Sequence, residues 1–293
     1  MNRLVNNARC PVIQADSRQG KVSPAHADPD PNLGERFLAA ITTVTFDLWQ
    51  TFLLDRPEVG RERTAARLRG TRAALLRAGL DFGESRIEDA YRECIQRCQQ
   101  IREGKRDISF RRQVEIFVEA ISPGLAARIS ETVFQEVSTA YSDCFFDYPV
   151  LPHPEAVAVL RGIQGMGLKL GLISNTGMTP GVSFRRFLAQ HGMLHYFEAL
   201  FFSDEVGIAK PSEEIFAKTL QALGATPEQT IHVGDHIFND VAAARKCGIK
   251  TIWVEGFYER PDPTDPATEP DESVKDLGDV LAAVRQLAFD ESK

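Results

Sequence analysis

Residues 41–47 read Ile-Thr-Thr-Val-Thr-Phe-Asp, and Leu48-Trp49-Gln50-Thr51 follow directly. β-Branched and aromatic residues dominate this run, and it stops abruptly at a carboxylate and polar neighbours. That composition fits a buried strand ending at a crevice. Four further short apolar runs lie far downstream: Leu168–Ile173, Ala199–Phe202, Thr230–Val233 and Lys250–Val254. Each is bounded by Gly, Ser, Asp or Asn, and helical periods fall between them at Thr179–His191, Ser212–Leu223 and Phe238–Cys247. Strand alternating with helix predicts βαβ units, hence an α/β fold with a doubly wound, Rossmann-like parallel sheet. In such sheets ligands gather beyond the carboxyl ends of the strands.

Between the first two strands the pattern changes. Glu58–Ala78, Glu84–Ile101, Ser109–Ile121 and Gly124–Cys144 all carry helical spacing, broken at Gly79, Gly104 and Pro123-Gly124. The expected organisation is a polar N-terminal tail over 1–35, an α/β core over 36–56 and 149–293, and an all-helical inserted unit over 57–148. The proline-rich stretch from Tyr148 to Pro154 reads as a stiff return linker. Residues 261–271 read as a surface loop, and Val274–Leu287 as a final amphipathic helix.

Bulk composition narrows the function classes. The chain is 43% hydrophobic, enough for a sizeable core, and its net charge of −7 argues against nucleic acid or an anionic membrane as the main partner. No apolar run reaches the roughly 20 residues of a membrane-spanning helix, and the first 20 residues lack a secretory apolar stretch. Five cysteines give no disulfide framework at this length. Cys94 and Cys98, one helical turn apart, have no second Cys/His pair nearby and read as reduced structural thiols. A cytoplasmic enzyme fits these features, with a homodimer left open.

The chemistry-bearing residues fall at strand ends. Asp47 closes the first, Ser174-Asn175-Thr176-Gly177 the second, Ala209-Lys210-Pro211 follows the third, and Gly234-Asp235-His236-Ile237-Phe238-Asn239-Asp240 the fourth. The Ser174 hydroxyl and the N–H groups after it predict an anion cradle. Singly these dipeptides are common. In this order, each at a strand terminus, they form one constellation.

That constellation resembles the haloacid dehalogenase superfamily, in the branch with a helical cap inserted after the first strand, over roughly residues 40–288. The resemblance implies a phosphatase-type hydrolase acting on a phosphorylated small molecule through an aspartyl-phosphate at Asp47. It further implies that Ser174 and Lys210 hold the transferring group, that Asn175 adjoins the substrate, and that Asp240 orients Lys210 or a bound water. Mg²⁺ would be held by Asp47, Asp235 and the backbone carbonyl of Trp49. Those roles suit the chemistry: attack on an already anionic phosphorus needs positive charge, and Mg²⁺ takes hard oxygen ligands including one or two carboxylates. Thr51 is expected to steady the loop after Asp47.

Trp49 departs from the family pattern, which places a general acid there. Three readings follow: a phosphatase favouring good leaving groups, a 2-haloacid dehalogenase-like carbon–halogen hydrolase, or a weakly active phospho-ligand-binding protein. The acidic pair Asp235 and Asp240 favours the first, since halide leaves without a metal. His236 reads as a rim residue and His153 as structural, while Trp253 is expected in the core. Arg61, Arg63, Arg67, Arg69 and Arg72, with Arg106, Arg111 and Arg112, read mainly as solvated cap faces, from which one or two side chains reach a second anionic group.

Overall fold

The computed structural model describes residues 40–257, 259–262 and 264–289. The expected N-terminal tail over 1–35 and the start of the core at 36 lie outside the described residues.

The chain enters on β1 (Thr43–Phe46), turns into a two-residue strand β2 (Leu53–Leu54), and continues through five helices. These are α1 (Pro57–Arg77), α2 (Glu84–Glu103), α3 (Phe110–Ile121), α4 (Leu125–Arg128) and α5 (Glu131–Asp147). It returns through β3 (Leu151–Pro152), antiparallel to β2, and α6 (Ala156–Gly165). Then come β4 (Lys169–Ser174), α7 (Gly181–Gln190), β5 (Ala199–Phe202), α8 (Ser203–Val206), α9 (Glu213–Leu223) and β6 (Thr230–Gly234). A π-helical turn over Ile237–Ala242 runs into α10 (Ala243–Lys246), followed by β7 (Lys250–Val254), β8 (Glu272–Val274) and α11 (Val280–Phe289).

Six strands form one parallel sheet in the order β5-β4-β1-β6-β7-β8. The winding reverses at β1, which is therefore the topological switch point of the α/β sheet. Register fixes what emerges there. Phe46 pairs with Leu172 on one side and Val233 on the other. Asp47, one residue past Phe46, thus leaves the sheet one step before Ser174 and Asp235, each two residues beyond those partners. The Asp47 N–H still donates to the Val233 carbonyl at 2.8 Å, so the carboxylate is anchored on the last rung of the ladder.

The helical insertion carries its own apolar cluster, including Leu75, Tyr91, Cys94, Cys98, Phe117, Val137 and Tyr141. Two other clusters pack against the sheet, one with α6, α7 and α11 and one with α9 and α10. Cys94 and Cys98 are buried with free thiols.

Several boundaries differ from the sequence reading. The expected Gly124–Cys144 helix is split, because Ile129 is extended and Ser130 starts α5 by accepting from Val133 N–H. The return linker is itself a strand: β3 pairs with β2, and His153 N–H donates to Phe52 O at 2.7 Å. Val274 ends β8 rather than opening the last helix, which starts at Val280. Trp253 is only half-buried, and its indole Nε1–H donates to the Asp235 carbonyl at 2.8 Å. It buttresses the crevice instead of filling the core.

Candidate active site

Asp47, Lys210, Asp235 and Asp240 converge although they are distant in sequence. Lys210 Nζ lies 2.6 Å from Asp47 Oδ1 and 2.6 Å from Asp240 Oδ1, with all three side chains buried. Asp240 is also met by His232 Nε2 at 3.3 Å and by the His236 N–H at 3.0 Å on its other oxygen. His232 Nδ1 in turn lies 2.9 Å from Thr45 Oγ1, so a buried chain runs from β1 through β6 to Asp240 and Lys210. Gly234 makes room for this arrangement, since a Cβ there would overlap the Asp240 carboxyl.

The electrostatics follow from burial and shared charge. Burial raises the Asp47 carboxyl to about 6, opposed by the Lys210 ammonium. Burial also raises Asp235 to about 9, helped by the charges of Asp47 and Asp240. Asp240 goes the other way: burial works against its ionised form, but Lys210 and His232 outweigh it and hold the carboxyl well below its usual range. For Lys210 burial is likewise opposed and overcome, by Asp240 and Asp47, and the ammonium stays charged.

One atom in this cluster is unsatisfied. Asp235 Oδ2 is buried without any hydrogen-bond partner. Ligand atoms of Asp47, Asp235 and Asp240 lie within 4.8 Å of one another. The Asp240 oxygens are taken by Lys210, His232 and His236, leaving Asp47 and Asp235 as the carboxylates with coordination to offer. An unpaired buried oxygen among hard oxygen donors suits Mg²⁺.

Around this cluster the expected binding residues behave differently from one another. Ser174 is fully buried and its hydroxyl has no partner. The Asn175 carboxamide is occupied: Oδ1 accepts from Lys210 N–H at 2.8 Å and Nδ2 donates to Lys210 O at 3.0 Å. Its side chain holds the lysine backbone. The expected cradle is also narrower than its sequence suggests. Thr176 N–H donates to Ser203 Oγ at 2.9 Å, and Gly181 N–H, opening α7, donates to both Asp204 oxygens. Thr51 does not steady its loop through the side chain, because its buried hydroxyl has no partner. Backbone bonds hold that turn instead, from Phe52 and Leu53 N–H to Leu48 O and from Gln50 N–H to Leu53 O.

A cavity of about 390 Å³ opens over the cluster, lined by Asp47, Trp49, Asn175, Lys210 and Asp235 below and by Arg63, Thr64, Arg67 and Tyr91 of the helical insertion. Trp49 packs edge-on against Phe184 at 5.6 Å and near Phe145 at 6.5 Å, so it forms an apolar wall. His236 also lines the cavity. Its Nδ1 accepts from Phe238 and Asn239 N–H, and burial depresses its basicity, so its ring is favoured neutral. His153 lies elsewhere, with Nδ1 accepting from Glu155 N–H.

His232 and Trp253 had no legible signal as site supports, being an ordinary strand histidine and an ordinary strand tryptophan. The arginines at helical spacing in α1 did carry a signal, but nothing in the sequence separates Arg63 and Arg67 from their solvated neighbours.

Residues 41–248 match the family described as haloacid dehalogenase-like hydrolase. A glyceraldehyde 3-phosphate phosphatase of Methanopyrus kandleri is 31% identical over 154 residues, covering 52% of this chain and 64% of that one. A phosphoserine phosphatase of Thermus thermophilus is 35% identical over 173 residues, covering 57% and 63%. The matched region thus spans less than two thirds of either relative. Among solved structures, a 2-haloacid dehalogenase of Pseudomonas syringae pv. Tomato DC3000 superposes with a TM-score of 0.62, covering 85% of this chain and all of that one at 20% identity. At that identity the likeness is one of fold. No helix among the described residues is long and apolar enough to cross a membrane.

Proposed function

The chain belongs to the haloacid dehalogenase-like hydrolase family, and we propose that it is a Mg²⁺-dependent phosphatase acting on a small phosphorylated molecule with Asp47 as nucleophile. The observation that carries this reading is the Lys210 ammonium 2.6 Å from both Asp47 and Asp240, beside an Asp235 oxygen that is buried and unpartnered.

The residues divide the work as follows. Asp47 Oδ attacks phosphorus; its new bond to phosphorus forms as the bond to the leaving oxygen breaks, and the electron pair departs with that oxygen. Lys210, held charged by Asp240, neutralises the phosphoryl oxygens and steadies the Asp47 carboxylate in its ionised form. The free hydroxyl of Ser174 donates to the same group. Asp47, Asp235 and the backbone carbonyl of Trp49 would hold Mg²⁺, which supplies Lewis-acid neutralisation of the phosphoryl charge. Water then attacks the aspartyl-phosphate, restoring the Asp47 carboxylate and releasing inorganic phosphate.

Trp49 offers no proton to the leaving oxygen, and the neutral His236 ring is a poor donor. The reading therefore favours substrates whose leaving group departs unprotonated, such as acyl phosphates and aryl phosphates. The apolar wall that Trp49 presents to the cavity, backed by the buried Phe145 and Phe184, keeps a carbon–halogen hydrolase as the second reading.

One comparison tests both. Turnover of acetyl phosphate and p-nitrophenyl phosphate is measured with and without Mg²⁺, beside chloride release from 2-chloropropionate. Mg²⁺-dependent phosphate release that disappears in Asp47→Asn is expected. Metal-independent chloride release without phosphatase activity would replace this reading with the second.

A further inference from the structure

Arg63 and Arg67 stand one turn apart on α1 and both line the cavity that holds Asp47, Lys210 and Asp235. Their charges are settled in different ways. Arg63 donates to Asp55 Oδ2 at 2.5 Å and to Tyr148 O at 3.2 Å, an ion pair that satisfies it within the protein. Arg67 has no such partner. It is 3% exposed; its Nε donates to Tyr141 O at 2.9 Å, its Nη2 to Met178 O at 3.2 Å, and its Nη1 to the Tyr91 hydroxyl. Its guanidinium lies 4.4 Å from the Tyr141 ring centroid and 5.3 Å from that of Tyr91. Every one of these partners is neutral, and Arg67 forms no ion pair among the described residues.

A guanidinium cannot shed its proton, so burial without a counter-ion is costly. Three of its five N–H groups are engaged, which fixes the plane of the fork and leaves an N–H on each terminal nitrogen to give. The bonds to Tyr141 and Met178 tie α1 to α5 and to the loop after Ser174. Arg67 is therefore a rigid, uncompensated cation in the wall of the cavity whose other side carries the nucleophile. At about 390 Å³ that cavity sits near the small end of the ~300–1,000 Å³ usual for ligand sites, so the ligand is compact.

We infer that Arg67 determines specificity by pairing with a second anionic group on the substrate, a carboxylate or a further phosphate, so that the molecule hydrolysed is a small phosphorylated acid. The phosphoryl end of this ligand rests on the function proposed above; the Arg67 end does not.

The test uses ligands that cannot turn over. Binding of phosphonoacetate and of ethylphosphonate, which differ by a carboxylate against a methyl group, is measured by calorimetry in saturating Mg²⁺. The wild-type protein should bind phosphonoacetate at least ~10-fold more tightly, the scale of one charge-assisted pair. Arg67→Gln should bring the two within about twofold, Arg67→Lys should keep part of the preference, and Arg63→Gln should leave it in place. Methylenebisphosphonate binding more tightly than phosphonoacetate would assign the second group as phosphate; the reverse order assigns it as carboxylate. Equal binding of phosphonoacetate and ethylphosphonate by the wild-type protein overturns the inference without any variant. If neither phosphonate binds but 2-chloropropionate does, and Arg67→Gln abolishes it, the anion site stands and the phosphoryl reading falls. If none of the ligands binds, the inference falls as well.

Discussion

The Asn175 carboxamide grips the Lys210 backbone at both of its peptide groups, accepting from its N–H at 2.8 Å and donating to its carbonyl at 3.0 Å. Two polar backbone groups are satisfied by one side chain, and the ammonium at the far end is thereby aimed between Asp47 and Asp240. Asn175→Ala should leave both backbone groups unpaired and lower stability by about 1–3 kcal/mol. Because a misplacement of about 1 Å costs on the order of 100-fold in rate, kcat toward p-nitrophenyl phosphate should fall by roughly that factor. KM should move far less. Steady-state kinetics and urea unfolding check this together; a large rise in KM with kcat intact would return Asn175 to substrate contact.

Asp235 gives the opposite sign. Its Oδ2 is buried and unpartnered, and burial among Asp47 and Asp240 raises its carboxyl to about 9. Without divalent cation this residue is therefore a burden on the fold. Asp235→Asn should raise the melting temperature of metal-free protein and, at the same time, abolish the stabilisation that Mg²⁺ gives the wild type. The amide removes the ionisable group while offering a poorer ligand. Thermal unfolding with EDTA and with millimolar Mg²⁺ reads both effects, and a variant that still gains stability from Mg²⁺ would remove Asp235 from the metal site.

The parallel core was legible because its strands are buried on both faces and read as unbroken apolar runs ending in Asp47, Ser174 and Asp235. β8 escaped notice: Glu272-Ser-Val274 is a three-residue edge strand with little apolar content, and its pairing to β7 depends on tertiary context. The same holds for β2 and β3, which are two residues each and exist through one another. At the site, residue types announced the residues that converge: Asp47, Lys210, Asp235 and Asp240. What spacing could not announce is which polar atoms are already spent. Asn175 is consumed by Lys210 and Thr176 N–H by Ser203, whereas the Ser174 hydroxyl is free. Nor could it separate Arg67 from Arg63, since Asp55 approaches only in three dimensions.

Asp204 makes a pH-dependent contribution away from Asp47. Burial pushes its carboxyl from 3.8 up to about 6, against the Gly181 N–H that donates to it, while Glu205 and Asp107 add repulsion. The folded state holds this proton more tightly than the unfolded chain does. The contribution favouring the fold is thus complete below about pH 3.8 and lost as pH rises through 6, by about 3 kcal/mol at most. Asp204→Asn keeps an acceptor for Gly181 and removes the titration. The stability of the variant relative to wild type should grow between pH 4 and 6 and then level off in urea unfolding. Parallel curves over that range would show that the carboxyl is not perturbed.

Trp49, which in the proposed function stands where the family resemblance implies a general acid, is also a packing element against Phe184 and Phe145 with the Arg63 guanidinium 5.7 Å from its ring. Trp49→Asp exchanges one role for the other. Loss of the aromatic contacts should destabilise the protein by about 1–3 kcal/mol, at the lower end of large-to-small changes because the indole is only half-buried. If proton donation limits poor leaving groups, the new carboxyl should raise kcat/KM for ethyl phosphate by ~10-fold or more. Turnover of p-nitrophenyl phosphate, whose leaving group departs as a stable anion, should change by less than about threefold on the same ground. The ratio of the two substrates is the readout, since any general damage to the site cancels in it. An unchanged ratio would mean that another group, such as a water in the cavity, already protonates the departing oxygen.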